Sequence, residues 1–214
     1  MIDLDEFKEQ AYKFVDWIAD YYMDIEKYSV KPNIKPYQIY NKLPVKPPEN
    51  GEPVDSIFKE FKEIILPGMT HWQSPNFFAY FPANSSLPSI LAEMLTAALG
   101  AQCMKWETSP AATELEESVM NWLKTMIGLP DNFHGVIQDT ASTSTLCALL
   151  TARERITDYK INNEGFKAAD IYRVYCSTEA HSSVDKAVKI AGIGERNLTK
   201  IETDKEYRID VAAP

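Results

Sequence analysis

The sequence predicts an α/β protein: an N-terminal helical segment, then a domain built on a mostly parallel sheet. Three observations carry this reading. Apolar side chains recur at steps of three and four over residues 4–28, the period of an amphipathic helix. Twelve of the 13 prolines lie at or before Pro130, so stiff connectors crowd the first part of the chain. Beyond Pro130, short apolar runs alternate with helical patterns in a β-α-β-α-β order, which asks for parallel strands joined by right-handed crossovers.

Each element follows in order. Leu4, Phe7, Ala11, Phe14, Ile18, Tyr21 and Ile25 form the stripe of the first helix, and Asp3 with Glu6 forms its cap and box. Six prolines from Pro32 to Pro53 predict an extended arm. A short helix is expected over 56–66, with Ile57, Phe61 and Ile64/Ile65 on one face. Residues 67–86 read as an irregular loop in which Trp72, Phe77, Phe78, Tyr80 and Phe81 sit among three prolines. That much aromatic surface is either core, or the lining of a ligand site or subunit contact.

Two more helices are predicted, over 88–101 and 110–127. The second opens with Ser109 as cap and Pro110 at the first helical position, and Gly128 and Pro130 stop it. Its stripe is Leu115, Val119, Trp122 and Met126. Strands are predicted over 135–138, 171–177 and 198–201, separated by helices over 143–159 and 182–191. Residues 207–209 suggest a further short strand, and Asp210-Val211-Ala212-Ala213 the first turn of a helix. Three strands make a narrow parallel sheet, so the domain reads as incomplete. The predicted division is a helical arm segment over 1–86 and the first part of a larger domain over 87–214.

Charge and composition exclude several functions. The balance of 22 Lys+Arg against 31 Asp+Glu gives a net charge of −9, without the basic footprint of a nonspecific nucleic-acid binder. The most apolar stretch, 87–104, carries Ser89, Glu93, Thr96 and Gln102, and reads as a buried helix rather than a membrane span. Residues 1–10 have no secretory-leader pattern. Cys103, Cys147 and Cys176 are odd in number and far apart, which suits buried thiols in a reducing compartment; a cytoplasmic location is expected. His71, His134 and His181 lack metal-ligand spacing, so no metal site is expected.

Two strand-to-helix turns carry the strongest chemical signals. In GVIQDTASTSTLCALLTARE (135–154), five hydroxyl residues, Thr140, Ser142, Thr143, Ser144 and Thr145, crowd a predicted helix start. Free N–H groups and the positive dipole end there suit a phosphate, and small Ala141 allows close approach. The alternative is that Ser142 only caps the helix. Neither GxGxxG nor GxxxxGKS/T is present, which argues against a dinucleotide or P-loop site. The second turn, Thr178-Glu179-Ala180-His181-Ser182-Ser183, is expected at the same sheet edge. His181 there either stacks on a flat ligand, transfers protons, or fills space.

Four stretches, THWQSPNFFAYFPANSS (70–86), SPAATELE (109–116), GVIQDTASTST (135–145) and STEAHSSVDKA (177–187), occur in one order and spacing. Together they resemble the pyridoxal-phosphate-dependent group II decarboxylases, in the branch of the aromatic L-amino-acid decarboxylases. The resemblance runs from residue 3 to residue 211. It implies a fold-type I, aspartate aminotransferase-like large domain, an intertwined homodimer wrapped by the N-terminal segment, and pyridoxal 5'-phosphate as cofactor. It implies that Ala141 and Ser142 hold the cofactor phosphate, and that His181 stacks on the pyridine ring and helps deliver protons. Trp72, Tyr80, Phe81 and Pro82 match the substrate-pocket lining, and Gln102 and Met104 match positions that reach the neighbouring subunit's pocket. There are departures: Ala83 stands where the animal enzymes carry threonine, Asp139-Thr140 replaces a Gly-Ser pair, and Gln102 and Met104 replace an apolar and an aromatic residue.

The implied reaction is decarboxylation of an aromatic L-amino acid to the amine and CO2, with oxidative decarboxylation to an aldehyde as the neighbouring outcome. The cofactor takes up the electrons left as CO2 departs. The chain contains no His-Lys pair, the motif that carries the family's Schiff-base lysine. The reading is therefore the N-terminal portion of the enzyme, inactive by itself. Its alternative is a catalytically inactive truncated product or a dimerisation module.

Overall fold

The structure is a computed structural model that describes residues 2–82, 85–167 and 171–211. It divides into two units, Met1–Gly100 and Ala101–Pro214. The first unit opens with α1, Leu4–Met23, capped as expected by Asp3, whose side chain accepts from the Glu6 N–H at 2.8 Å. The helix ends earlier than residue 28. Its last turn holds acidic Asp20 and no basic residue, a poor match to the negative end of the helix dipole. A 3-10 turn, Ile25–Lys27, follows, with Lys27 paired to Asp24 at 2.7 Å.

Aromatic residues join α1 to α2, Val54–Glu60. Phe14 stacks on Phe58 with centroids 4.3 Å apart, and Trp17 meets Phe61 edge-on at 5.5 Å. The expected single helix over 56–66 is three pieces: α2, a π turn Phe61–Ile65 and a 3-10 turn Leu66–Gly68. Pro67 explains the change, because its ring excludes the α-helical path and it has no N–H to give.

Helix α3, Leu87–Leu99, is closed at both ends by local chemistry. Ser86 and Ser89 cap each other's backbone, and Gly100 takes the left-handed conformation at φ 57°. Leu87, Ile90, Leu91 and Met94 of α3 face Val15, Ile18, Ala19 and Tyr22 of α1 across an apolar groove of 470 Å³, and Tyr22 bonds Ser85 at 3.1 Å. The expectation of a buried helix is not met: Leu91, Leu95 and Leu99 are exposed, because among the described residues no layer covers their face.

The second unit begins with α4, Pro110–Met126, followed by α5, Ala141–Ile156, and the short α6, Lys160–Glu164. Strands β1, Val174–Ser177, and β2, Leu198–Ile201, pair in parallel, with Val174 opposite Leu198 and Ser177 opposite Ile201. Helix α7, Ser183–Ile190, connects them. Val188, Ala191 and Ile193 form the buried core, with Leu146, Leu149 and Leu150 of α5 and Val174 and Leu198 of the strands packed against it.

The predicted strand over 135–138 is absent. Val136 and Ile137 are exposed, and the Ile137 N–H donates to the Glu116 carboxylate at 2.7 Å instead of to a neighbouring strand. A strand needs a ladder partner, and the described residues offer none there. The suggested strand at 207–209 is one antiparallel bridge, Thr203 to Ile209. Of the helix turn expected over 210–213, residues 212 and 213 lie outside the described residues. The stripe on α4 forms but stays uncovered at Leu115, Trp122 and Met126. The three thiols are free, and Cys103, expected to be buried, is exposed in the irregular segment after α3.

The accessible surface is 17500 Å² for 24.3 kDa. Two separate folded units of half that mass would expose about 12,000 Å². Large apolar side chains contribute to that surface, Leu95, Leu99, Trp122 and Met126 among them. No described helix is long and apolar enough to cross a membrane.

Candidate functional site

The start of α5 is built by Thr140, not Ser142. Thr140 is the cap residue: its Oγ1 accepts from the Thr143 N–H at 3.2 Å, and its carbonyl accepts from the Ser144 N–H at 3.0 Å. Ser142 lies inside the first turn, so the plain capping alternative does not apply to it. Capping satisfies the donor at Thr143 and leaves the Ala141 and Ser142 amides without a hydrogen-bond partner among the described residues. Both residues are exposed. The result is two free donors and a hydroxyl at the positive end of a 16-residue helix, a cradle for an anion.

The second turn lies at the carboxyl end of β1. The Thr178 N–H donates to the Ile201 carbonyl at 2.9 Å, which continues the strand pairing one residue beyond the ladder. The chain then folds back through Ala180, whose N–H donates to the Ser177 carbonyl at 3.1 Å. His181 Nδ1 accepts from the Ser183 N–H at 3.2 Å. The neutral ring therefore carries its proton on Nε2, and the side chain is exposed.

The two turns meet. The hydroxyls of Thr145, one turn into α5, and Ser183, at the start of α7, stand 3.4 Å apart. Ser183 is buried, while Ala141, Ser142 and His181 remain open to solvent. The first turn follows no strand here, so it does not open on an edge of the β1–β2 sheet as expected, but the Thr145–Ser183 contact still brings the two turns together. The Thr140-x-x-Thr143 spacing was the available signal for the true cap, since a capping side chain reaches the third residue of the helix.

Gln102 and Met104 lie in the irregular segment before α4. The Thr108 hydroxyl donates to the Gln102 carbonyl at 2.6 Å, and Trp106 Nε1 donates to Glu114 of α4 at 3.0 Å. Met104 is exposed.

The aromatic loop belongs to the first unit. Trp72 packs on Phe77 with centroids 4.6 Å apart and stacks on Tyr80 at 5.9 Å. Tyr80 holds a left-handed backbone, φ 57°. Phe78, Tyr80 and Phe81 are 92%, 89% and 97% exposed, so the core reading of these rings does not hold in this unit. Pro82 is half-buried. Ala83 lies outside the described residues. At the loop's base, His71 is buried, and its Nδ1 shares a 2.8 Å hydrogen bond with the Tyr21 hydroxyl. Sequence reasoning gave His71 no role. Among the described residues no cluster of His, Cys, Asp or Glu has the arrangement of a metal site.

A parallel strand pair with a histidine at its carboxyl edge, beside a helix start with open amides, is an arrangement suited to a phosphate-bearing ligand in an α/β domain. The model of the pyridoxal-dependent decarboxylase conserved domain matches residues 36–214, and the chain belongs to that family. It is 38% identical over 218 residues to tyrosine/DOPA decarboxylase 2 of Papaver somniferum, covering 99% of this chain and 40% of that protein. It is 42% identical over 211 residues to phenylacetaldehyde synthase of Petunia hybrida, covering 96% of this chain and 41% of that one. Among solved structures, the Oryza sativa TDC with PLP and tryptamine aligns with a TM-score of 0.89 at 34% identity, over 98% of this chain and 44% of that one. The fold is therefore part of a fold-type I domain, and the family's cofactor is pyridoxal phosphate. The chain spans about two fifths of the length of these curated relatives.

Proposed function

We propose that this chain is the N-terminal portion of a pyridoxal-phosphate-dependent decarboxylase acting on an aromatic L-amino acid, working as a homodimer in the cytoplasm. The observation that carries the reading is the pair of free amides at Ala141 and Ser142, tied through Thr145 and Ser183 to the turn that bears His181. When bound, the cofactor supplies an electron sink for the pair left as CO2 departs.

The chain's own residues have distinct tasks. The Ala141 and Ser142 amides and the Ser142 hydroxyl bind the phosphate, assisted by the α5 dipole. Thr140 keeps the Thr143 amide occupied and leaves the Ala141 and Ser142 donors open. His181 would stand beside the cofactor ring and move a proton at Nε2, because Nδ1 is held by the Ser183 N–H. Trp72, Tyr80, Phe81 and Pro82 offer an apolar, flat-sided lining to an aromatic substrate. Gln102 and Met104 contribute polar and polarisable contacts from the neighbouring subunit. The Schiff-base lysine is supplied by the remainder of the polypeptide.

The test is the intact mass and activity of the product of the native gene. A mass about two and a half times 24.3 kDa, with CO2 and the amine released from tryptophan, tyrosine, phenylalanine or DOPA, is expected from the share of the relatives covered and the electron-sink chemistry. A product of 24.3 kDa with no companion chain and no turnover would leave the inactive truncated form as the reading. The petunia relative's name favours a second outcome. In that case aldehyde, ammonia and hydrogen peroxide appear with consumption of O2.

A further inference from the structure

The aromatic loop is open along its length and fixed at its base, and the fixing is unusually polar for so apolar a region. His71 is 5% exposed, although the residue after it, Trp72, is 41% exposed and Tyr80 is 89% exposed. The backbone, ring face and Nδ1 of His71 are engaged by α1, by the segment after it and by the loop itself. Its backbone N–H donates to the Val30 carbonyl at 3.1 Å, and its carbonyl accepts from the Ser74 N–H at 3.1 Å. Its Nδ1 bonds the Tyr21 hydroxyl of α1 at 2.8 Å. Its ring lies 4.8 Å from that of Tyr28 and 5.6 Å from that of Tyr21. Buried Ser74 continues the anchor, accepting from the Asn76 N–H at its hydroxyl and from the Phe77 N–H at its carbonyl. Phe77 in turn supports Trp72.

We propose that His71, held by Tyr21, is a positioning residue that sets where Trp72 and Tyr80 stand, and thereby which aromatic side chain the enzyme prefers. This rests on the reading of Trp72 and Tyr80 as substrate lining. An indole is about one fused five-membered ring broader than a phenyl face, a difference of roughly 2 Å, so a lining ring displaced by about 1 Å changes which of them packs without a gap. The anchor is suited to this task because it is directional. A purely apolar base would tolerate sliding, whereas the Nδ1-to-hydroxyl bond and two backbone bonds fix both the height and the rotation of the chain leaving His71.

The experiment uses the full-length holoenzyme and two readouts. Tyr21→Phe removes one hydroxyl and keeps the ring contacts with Trp17, Tyr22 and Tyr28. Its KM for the preferred amino acid is expected to rise about fivefold, with the preference over the next best aromatic substrate falling by a similar factor and kcat within about twofold. Backbone amide exchange at Ser74 and Phe77 is expected to quicken while the middle of α1 stays protected. His71→Asn, which leaves a polar atom near the Nδ1 position, should retain most of the preference; His71→Leu, which fills the space without it, should lose it. Faster exchange with unchanged KM and preference in Tyr21→Phe overturns the proposal, as does unchanged exchange. A wild type that turns over no aromatic amino acid overturns the functional reading itself, and the role in preference with it.

Discussion

Arg153 and Glu154, neighbours in sequence, form a closed pair at the end of α5: Nε and Nη2 of the guanidinium reach one carboxylate oxygen at 2.9 and 2.7 Å. Both side chains are largely buried. The remaining groups are also used. Arg153 Nη1 donates to the Ala191 carbonyl at 2.8 Å, and the other Glu154 oxygen accepts from the Asn162 N–H at 3.0 Å. The Phe166 ring lies 5.4 Å from the guanidinium. One pair thus ties α5 to α6 and to the end of α7.

Breaking it from either side leaves an uncompensated charge in a confined place. Glu154→Ala is expected to destabilise the second unit by about 3 kcal/mol. Arg153→Lys should recover little, since an ammonium cannot make the same three contacts. Denaturant titration of the full-length protein, followed at this unit, reads the loss.

The core beneath this pair is small, so single methyl groups matter. Val188 is completely buried among Leu146, Leu149 and Leu150 and the strands. Val188→Ala should cost about 2 kcal/mol through lost contacts and a residual cavity. A midpoint shift below a quarter of that amount would show that the neighbours collapse into the space.

The junction between α5 and α6 stores strain that can be relieved. Asp158 sits just past the helix end at φ 51°, and the Tyr159 N–H donates back to the Glu154 carbonyl at 2.9 Å. This is the helix-ending loop in which glycine is usual. Asp158→Gly is therefore expected to stabilise the protein by about 0.5–1 kcal/mol, seen as a higher melting temperature.

Burial holds the His71 imidazole below its ordinary pKa. The folded protein therefore keeps this ring neutral at a pH where the unfolded chain has already bound a proton. Since the unfolded state binds more protons in that window, stability rises with pH there. Conversely, the first unit should lose stability as pH falls below about 6.5 and go on losing it down to the lowered folded value. The Tyr21 phenol is pushed above its usual value, chiefly by burial, so it stays protonated across that window. His71→Asn should flatten the dependence; an unaltered pH–stability curve would assign it to other groups.

Two substitutions test the proposed cofactor cradle in the full-length enzyme. Ser142→Ala should weaken retention of pyridoxal phosphate by about tenfold, because a hydroxyl to a charged oxygen is lost while the amides remain. His181→Ala should lower turnover by about 100-fold with little change in melting temperature. Equal cofactor affinity in the first case, or full turnover in the second, would remove that residue from its assigned role.

Local chemistry was legible from the residues and absent cover was not. Asp3, Pro110 and the bounds of β2 stand where the sequence put them, because caps, proline and a short β-branched run act within a few residues. The apolar run of α3 and the stripe on α4 were equally visible, yet whether anything lies over Leu95 or Trp122 depends on chain far away. The same reason removes the strand at Val136 and Ile137: their composition suits a strand, and a strand exists only beside another. At the candidate site, the cluster of hydroxyls and His181 stood out. The division of labour between Thr140 and Ser142 did not, because it turns on which residue leaves the helix path first. His71 was opaque for a different reason: its partner Tyr21 is 50 positions away.

The parallel register of β1 and β2 carries a kinetic consequence. Val174 and Leu198 cannot be zipped together from a tight turn, as antiparallel neighbours can. The chain between them must first be laid down as α7 with Val188 against α5, so strand pairing and helix docking are one event. The nucleus of this unit is then spread over α5, α7 and both strands, and truncating Val188 should slow refolding as well as hasten unfolding.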